Sequence, residues 1–223
     1  MMRQKIRSRI KFGMTVIFIL TLSLFASCTT EVTLTLQKDD SVDIRFEAGA
    51  GAAFTKMISS AAGLSAGADG TESGDTALID VDSVSFELAK AGFSNVKVNQ
   101  TKSGTVTISM SDKKQSSYLF TSKIVKAEKG KLAASITRKS LEDFYAASDE
   151  QTRMILDLFL APVFNDEEMS EEEYLEMVGA FYGDAAAKEV SESAVKINLI
   201  SKDGTKETLK LPLSQLLCGY DIF

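Results

Sequence analysis

Val32-Thr33-Leu34-Thr35-Leu36-Gln37-Lys38-Asp39-Asp40-Ser41-Val42-Asp43-Ile44-Arg45-Phe46-Glu47 is the stretch that decides the fold. Val32, Leu34 and Leu36 alternate with polar residues, and Val42, Ile44 and Phe46 do the same beyond Asp39-Asp40-Ser41. Side chains on a strand point to opposite faces in turn, so this period of two makes one face apolar and one polar. Asp and Ser between the runs favour a turn, and the whole reads as a β-hairpin with one buried face.

The same pattern recurs along the chain. Val96 and Val98, then Val106, Ile108 and Met110, predict a second hairpin turning at Lys102-Ser103-Gly104. A third is expected between 119–125 and 132–136, turning at Glu128-Lys129-Gly130. The fourth joins Val195, Ile197 and Leu199 to Leu209 and Leu211 through Lys202-Asp203-Gly204, where Asp-Gly is a strong hairpin signal.

Helical spacing interrupts these pairs. A helix is expected over 52–62, with Phe54, Met57, Ile58 and Ala61 on one face. Leu78, Val81, Val84, Leu88 and Ala91 predict another, closed by Gly92. Ser140-x-x-Asp143, Ser148-x-x-Gln151 and Ser170-x-x-Glu173 match or approximate the capping box that starts a helix. The second of these should carry Met154, Ile155, Leu158 and Phe159 inward and stop before Pro162. The third should carry Tyr174, Leu175, Val178, Phe181 and Tyr182 inward, and Pro212 opens a short final helix with Leu213, Leu216 and Leu217. The expected class is α+β: antiparallel β-hairpins forming a sheet, with helices packed on one face. Residues 31–223 are expected to form a single domain. The segment 63–75 holds four glycines in 13 residues and is expected to be a mobile loop.

Residues 1–27 have a different character. Arg3, Lys5, Arg7, Arg9 and Lys11 form a basic start without an acid, and 12–25 is almost wholly apolar up to Ala26-Ser27-Cys28. A basic region, a short apolar run and small residues make a secretory leader, and the run is short of the ~20 apolar residues of a stable span. Phe25-Ala26-Ser27-Cys28 resembles the lipobox of bacterial lipoproteins, with Phe25 where Leu is usual. The resemblance covers this segment alone. It implies diacylation of the Cys28 thiol, cleavage before Cys28, and acylation of the new amino group. Several chains together make a stable anchor where one is marginal. The expected location is the bacterial cell envelope, on the periplasmic face or at the outer membrane, with residues 28–30 as a short tether.

Charge and composition narrow the function. The chain has 25 Lys and Arg against 31 Asp and Glu, formally −6, and loss of the five leader cations leaves −11. Such a surface disfavours nucleic acid. There is no His, which removes Ser-His-Asp and Cys-His catalysis and His-ligated metal sites. With Cys28 lipidated, Cys218 has no intrachain disulfide partner and reads as a buried small hydrophobe in Leu216-Leu217-Cys218.

No cofactor, metal or catalytic residues are assigned. Gly49-Ala50-Gly51-Ala52-Ala53-Phe54 lacks the small sixth residue of a dinucleotide fingerprint. Asp166-Glu167-Glu168 and Glu171-Glu172-Glu173 lack calcium-loop spacing and suit a solvated helix start. The expected role is a non-enzymatic envelope module that binds an envelope protein or a lipid-like ligand. The alternatives are a hydrolase using carboxylate or Ser/Lys chemistry and a structural or antigenic surface lipoprotein.

Overall fold

The computed structural model describes residues 30–49, 51, 81–101, 105–148, 153, 156–157 and 169–218. The leader with Cys28, the segments expected as helix at 52–62 and loop at 63–75, the turn at 102–104, Met154, Ile155, Leu158, Phe159 and Asp166-Glu167-Glu168 lie outside them. So does most of the Gly49–Phe54 stretch.

The chain is α+β, built on a six-stranded mixed sheet. β1 (Thr30–Leu36) pairs antiparallel with β2 (Val42–Ala48) in the register the alternation predicts, Val32 opposite Phe46 and Leu34 opposite Ile44. Helix α1 (Val81–Lys90) follows, burying Val84 and Leu88. Gly92 at φ +100° ends it, with its N–H on the Ala89 carbonyl and the Phe93 N–H on that of Leu88, the Schellman arrangement. β3 (Ser94–Gln100) and β4 (Val106–Asp112) form the second hairpin, and β4 joins β2.

The third hairpin is shorter than expected and stands apart. Residues 119–121 belong to a helical turn, α2 (Tyr118–Thr121), instead of a strand. Buried Asp112 sets up that turn by accepting the N–H groups of Lys114, Ser116 and Ser117, so local capping overrides the apolar run. β5 (Val125–Glu128) and β6 (Lys131–Ala134) then make a separate two-stranded sheet. Lys129 and Gly130 both have positive φ, as a two-residue hairpin turn requires. The Gly130 carbonyl accepts the Lys202 N–H, docking this hairpin on the next one.

Further helices complete the cover. α3 (Arg138–Ala147) starts three residues earlier than expected: Thr137 is its cap, reciprocated by Ser140. Ser148 ends this helix, its hydroxyl on the Phe144 carbonyl; the start that the capping pattern predicts there falls on 149–152, outside the described residues, and Arg153, Leu156 and Asp157 beyond it are helical. α4 (Glu171–Tyr182) has the expected box, Ser170 Oγ accepting the Glu173 N–H and Glu173 Oε2 accepting that of Ser170. At Gly183, φ +89°, the chain turns into α5 (Asp184–Glu192), a helix the sequence reading had missed. β7 (Ala194–Ile200) and β8 (Lys206–Pro212) form the last hairpin, and α6 (Leu213–Leu217) opens after Pro212 as expected.

The strand order is β3-β4-β2-β1-β7-β8, and the β1–β7 pair is parallel. The first and last hairpins therefore lie side by side with matching turns. Asp39 Oδ1 accepts the Ser41 N–H as Asp203 Oδ1 accepts that of Thr205, and Lys202 Nζ reaches Asp40 at 2.6 Å. Across the inner face one row runs Val98–Ile108–Phe46–Val32–Ile197–Leu209. Fully burying each such side chain contributes about 1.5–3 kcal/mol. The buried positions of α1, α4, α5 and α6 join the same core, so the helices cover this face and leave the other to water. Phe181 and Tyr182 are corrections: they are 76% and 36% exposed. Helical spacing gives their side of α4, but the core stops at Val178 and the last turn overhangs it. Among the described residues no helix is long and apolar enough to cross a membrane.

Candidate interaction surfaces

Two surfaces bring polar chemistry together. The first is the open face of the sheet. Its central row runs Lys97–Ser109–Arg45–Thr33–Asn198–Thr208. Beside it Glu31 lies between Glu47 and Lys196, and Thr35 between Asp43 and Ile200. Asn198 is fully buried there, and both hydrogens of its amide are used. Nδ2 donates to Glu31 Oε1 at 2.6 Å and Thr33 Oγ1 at 3.2 Å, while Oδ1 accepts the Thr208 hydroxyl at 2.8 Å. Lys196 Nζ reaches Glu31 Oε2 at 3.2 Å. Farther along, Asp43 accepts from Ser111 and Gln37. The bonds from Lys196 and Asn198 to Glu31 and Thr33 tie strands that the sequence separates by more than 160 residues, so this part of the network acts first as a clasp on the β1–β7 pair.

Glu31 is held below the ordinary carboxylate range, first by the Lys196 hydrogen bond, then against burial by the Asn198 amide. Asp39, Glu173 and Asp203 are also lowered, chiefly by the Ser41 hydroxyl, the Ser170 hydroxyl and the Thr205 backbone N–H. A carboxylate whose folded pKa is depressed stabilises the fold above its unfolded value and loses that contribution as pH falls through the folded one. The unfolded reference for Glu31 is near 4.5, so acid destabilisation should set in below that pH. Glu31→Gln should flatten this acid limb in urea titrations at pH 7, 5, 4 and 3. Parallel decline of both proteins would remove Glu31 from the effect.

The second surface is an open groove of about 770 Å³ along α4 and α5. Leu175, Gly179 and Ala180 of α4 and Ala187 of α5 form its floor, and Glu171, Glu172, Glu176 and Asp184 its rim. The groove exists because of two glycines. Gly183 allows the sharp reversal between the helices, and Gly179 leaves its side of the floor bare: a Cβ there would stand 3.7 Å from the Ala187 Cβ. Of the expected helix-start trio, Glu173 closes the cap and Glu171 accepts the Ser214 hydroxyl of α6. Glu172 is left on the rim. Among the described residues no three His, Cys, Asp or Glu come together in a metal-holding arrangement, so the rim acts as dispersed charge.

Cys218 is buried beneath this region, and burial, then the nearby Glu171 charge, pushes its thiol up to about 11 from 9.0. With Cys28 lipidated or replaced, Cys218 in the folded protein should carry on the order of 100-fold less thiolate than when unfolded. Iodoacetamide labelling at pH 8 with and without urea checks this; equal rates would contradict it.

The sequence reading anticipated the polar sheet face through alternation and the Glu171–Glu173 helix start through its cap. It missed the groove, which needs α5. The available signal was Gly183 followed by Asp184-Ala185-Ala186-Ala187-Lys188-Glu189, a reversal residue before strong helix formers. Comparison of the chain with protein-family profiles, curated proteins and solved structures found no match.

Proposed function

We propose that this protein is a lipid-anchored module of the bacterial cell envelope, held to a membrane through Cys28, that binds another envelope protein without catalysing a reaction. The shallow groove along α4 and α5 carries this reading: it is open to solvent and brings Leu175, Gly179, Ala180 and Ala187 together with four carboxylates. A rim of carboxylates repels phosphate headgroups, which favours a protein over the lipid-like ligand as occupant. Among the described residues the carboxylates that depart from the ordinary range move down, which gives no support to a carboxylate general acid there. The anchor rests on the lipobox resemblance at Phe25-Ala26-Ser27-Cys28.

Two measurements in cells test the reading. Labelled palmitate should enter the wild-type chain and not Cys28→Ala, which should leave the membrane fraction; continued labelling of the variant refutes the anchor. A photo-cross-linking residue at Ala180 should capture one envelope protein that the same probe at Asp43, on the open sheet face, does not. Identical capture at both positions, or none at Ala180, refutes the groove as the binding site.

A further inference from the structure

We infer that the groove along α4 and α5 receives a cationic, helix-forming segment of the partner protein; this rests on the binding-module reading and names the partner's chemistry. The first observation is shape. The floor made by Leu175, Gly179 and Ala187 is low because Gly179 has no side chain, and a trough between two helices suits the apolar ridge of a third. From Glu172 to Tyr182 α4 offers about 15 Å of axis, or roughly three helical turns of ligand.

The second observation is charge. Glu172 and Glu176 are four residues apart and so share one face of α4, and Asp184 stands at the start of α5. All three are exposed, and among the described residues none of their side chains has an ion pair or hydrogen bond. The nearest lysine along α5, Lys188, pairs with Glu192. A ligand with Lys or Arg four residues apart beside a small apolar stripe supplies both missing complements. Anionic membrane is disfavoured by the same rim. A second copy of this chain would offer Lys196, Lys206 and Lys210 from one face of β7 and β8, a strand surface without the ridge of a helix.

The test uses the full lipidated protein in nanodiscs and a labelled 15-residue helical peptide of Leu, Ala and Lys, net charge about +5, with Lys flanking one apolar stripe. Fluorescence anisotropy should show saturable binding that weakens at least tenfold in Glu172→Lys/Glu176→Lys and at least tenfold between 50 and 500 mM NaCl. Gly179→Leu should weaken it comparably at both salt concentrations by filling the floor, and Ala180→Leu serves if that variant melts early. Asp43→Lys should leave it unchanged. Equal binding of a peptide with the same Lys scattered around the helix overturns the inference, as does indifference to the rim reversals. Self-association abolished by Lys206→Glu/Lys210→Glu, without peptide binding, overturns it in favour of a second copy. Capture at Ala180 in cells without peptide binding overturns the cationic segment alone; loss of both takes the binding-module reading with it.

Discussion

Phe46→Ala should lower the stability of the folded chain by about 3–5 kcal/mol, the usual range for emptying a large buried aromatic position. Phe46 has no exposed surface and stands in the middle of the six-strand apolar row, between Ile108 of β4 and Val32 of β1. The cavity would open at the centre of the sheet, where strands on both sides are held in register and cannot collapse inward. Typical domains have only about 5–15 kcal/mol in total, so the loss is a large share. The urea midpoint should fall with little change in slope. Phe86→Ala is the matched control: Phe86 is 65% exposed on α1 and its main contact is Lys90, 5.7 Å above the ring. That change should stay within about 0.5 kcal/mol. Equal midpoint shifts for the two variants would contradict the assignment of the core.

Asn198→Leu should cost about 2–3 kcal/mol although it makes a buried position more apolar. The wild-type amide answers Glu31, Thr33 and Thr208 at once, and leucine answers none of them. Thr33 and Thr208 lose a partner, and Glu31 keeps Lys196 as its cation. The substitution also strikes the β1–β7 pair, where Asn198 stands opposite Thr33. A double-mutant cycle with Glu31→Gln should give a coupling of about 0.5–1.5 kcal/mol. Strict additivity would show that the Asn198–Glu31 bond contributes nothing, and a stabilised Asn198→Leu protein would show that the position prefers an apolar side chain.

Most strands were legible before any tertiary information. Val42, Ile44 and Phe46 alternate so cleanly that their burial follows from a period of two, and every apolar residue of β2 is buried while Asp43, Arg45 and Glu47 are exposed. Turn chemistry located three of the four reversals, at Asp39-Asp40, Lys129-Gly130 and Asp203-Gly204. The Ser170–Glu173 box marked the start of α4 to the residue. The misreadings have local causes. Asp112 captures three N–H groups and turns 118–121 into a helix, and Thr137 outcompetes Ser140 as a cap because both partners of its box are in place.

The candidate surfaces were only partly legible. Alternation shows that Glu31, Thr33, Asn198 and Thr208 are polar strand positions, but not that they meet. The groove was hidden because a reversal at Gly183 places α5 beside α4, and a bare floor at Gly179 has no signature apart from the helix it faces.

By itself, then, the sequence determined the α+β class, the hairpins, the apolar face of each strand and the start of α4, because these depend on neighbours a few residues apart. Tertiary structure alone decided that β1 pairs in parallel with β7, that β5 and β6 stand apart, that Asn198 is buried, and that Phe181 is exposed. The reason is physical: periodicity says which side of an element is apolar, whereas strand order and helix overhang depend on which distant surface meets that side. Several apolar rows of equal length could pair with one another; packing all of them at once selects one arrangement.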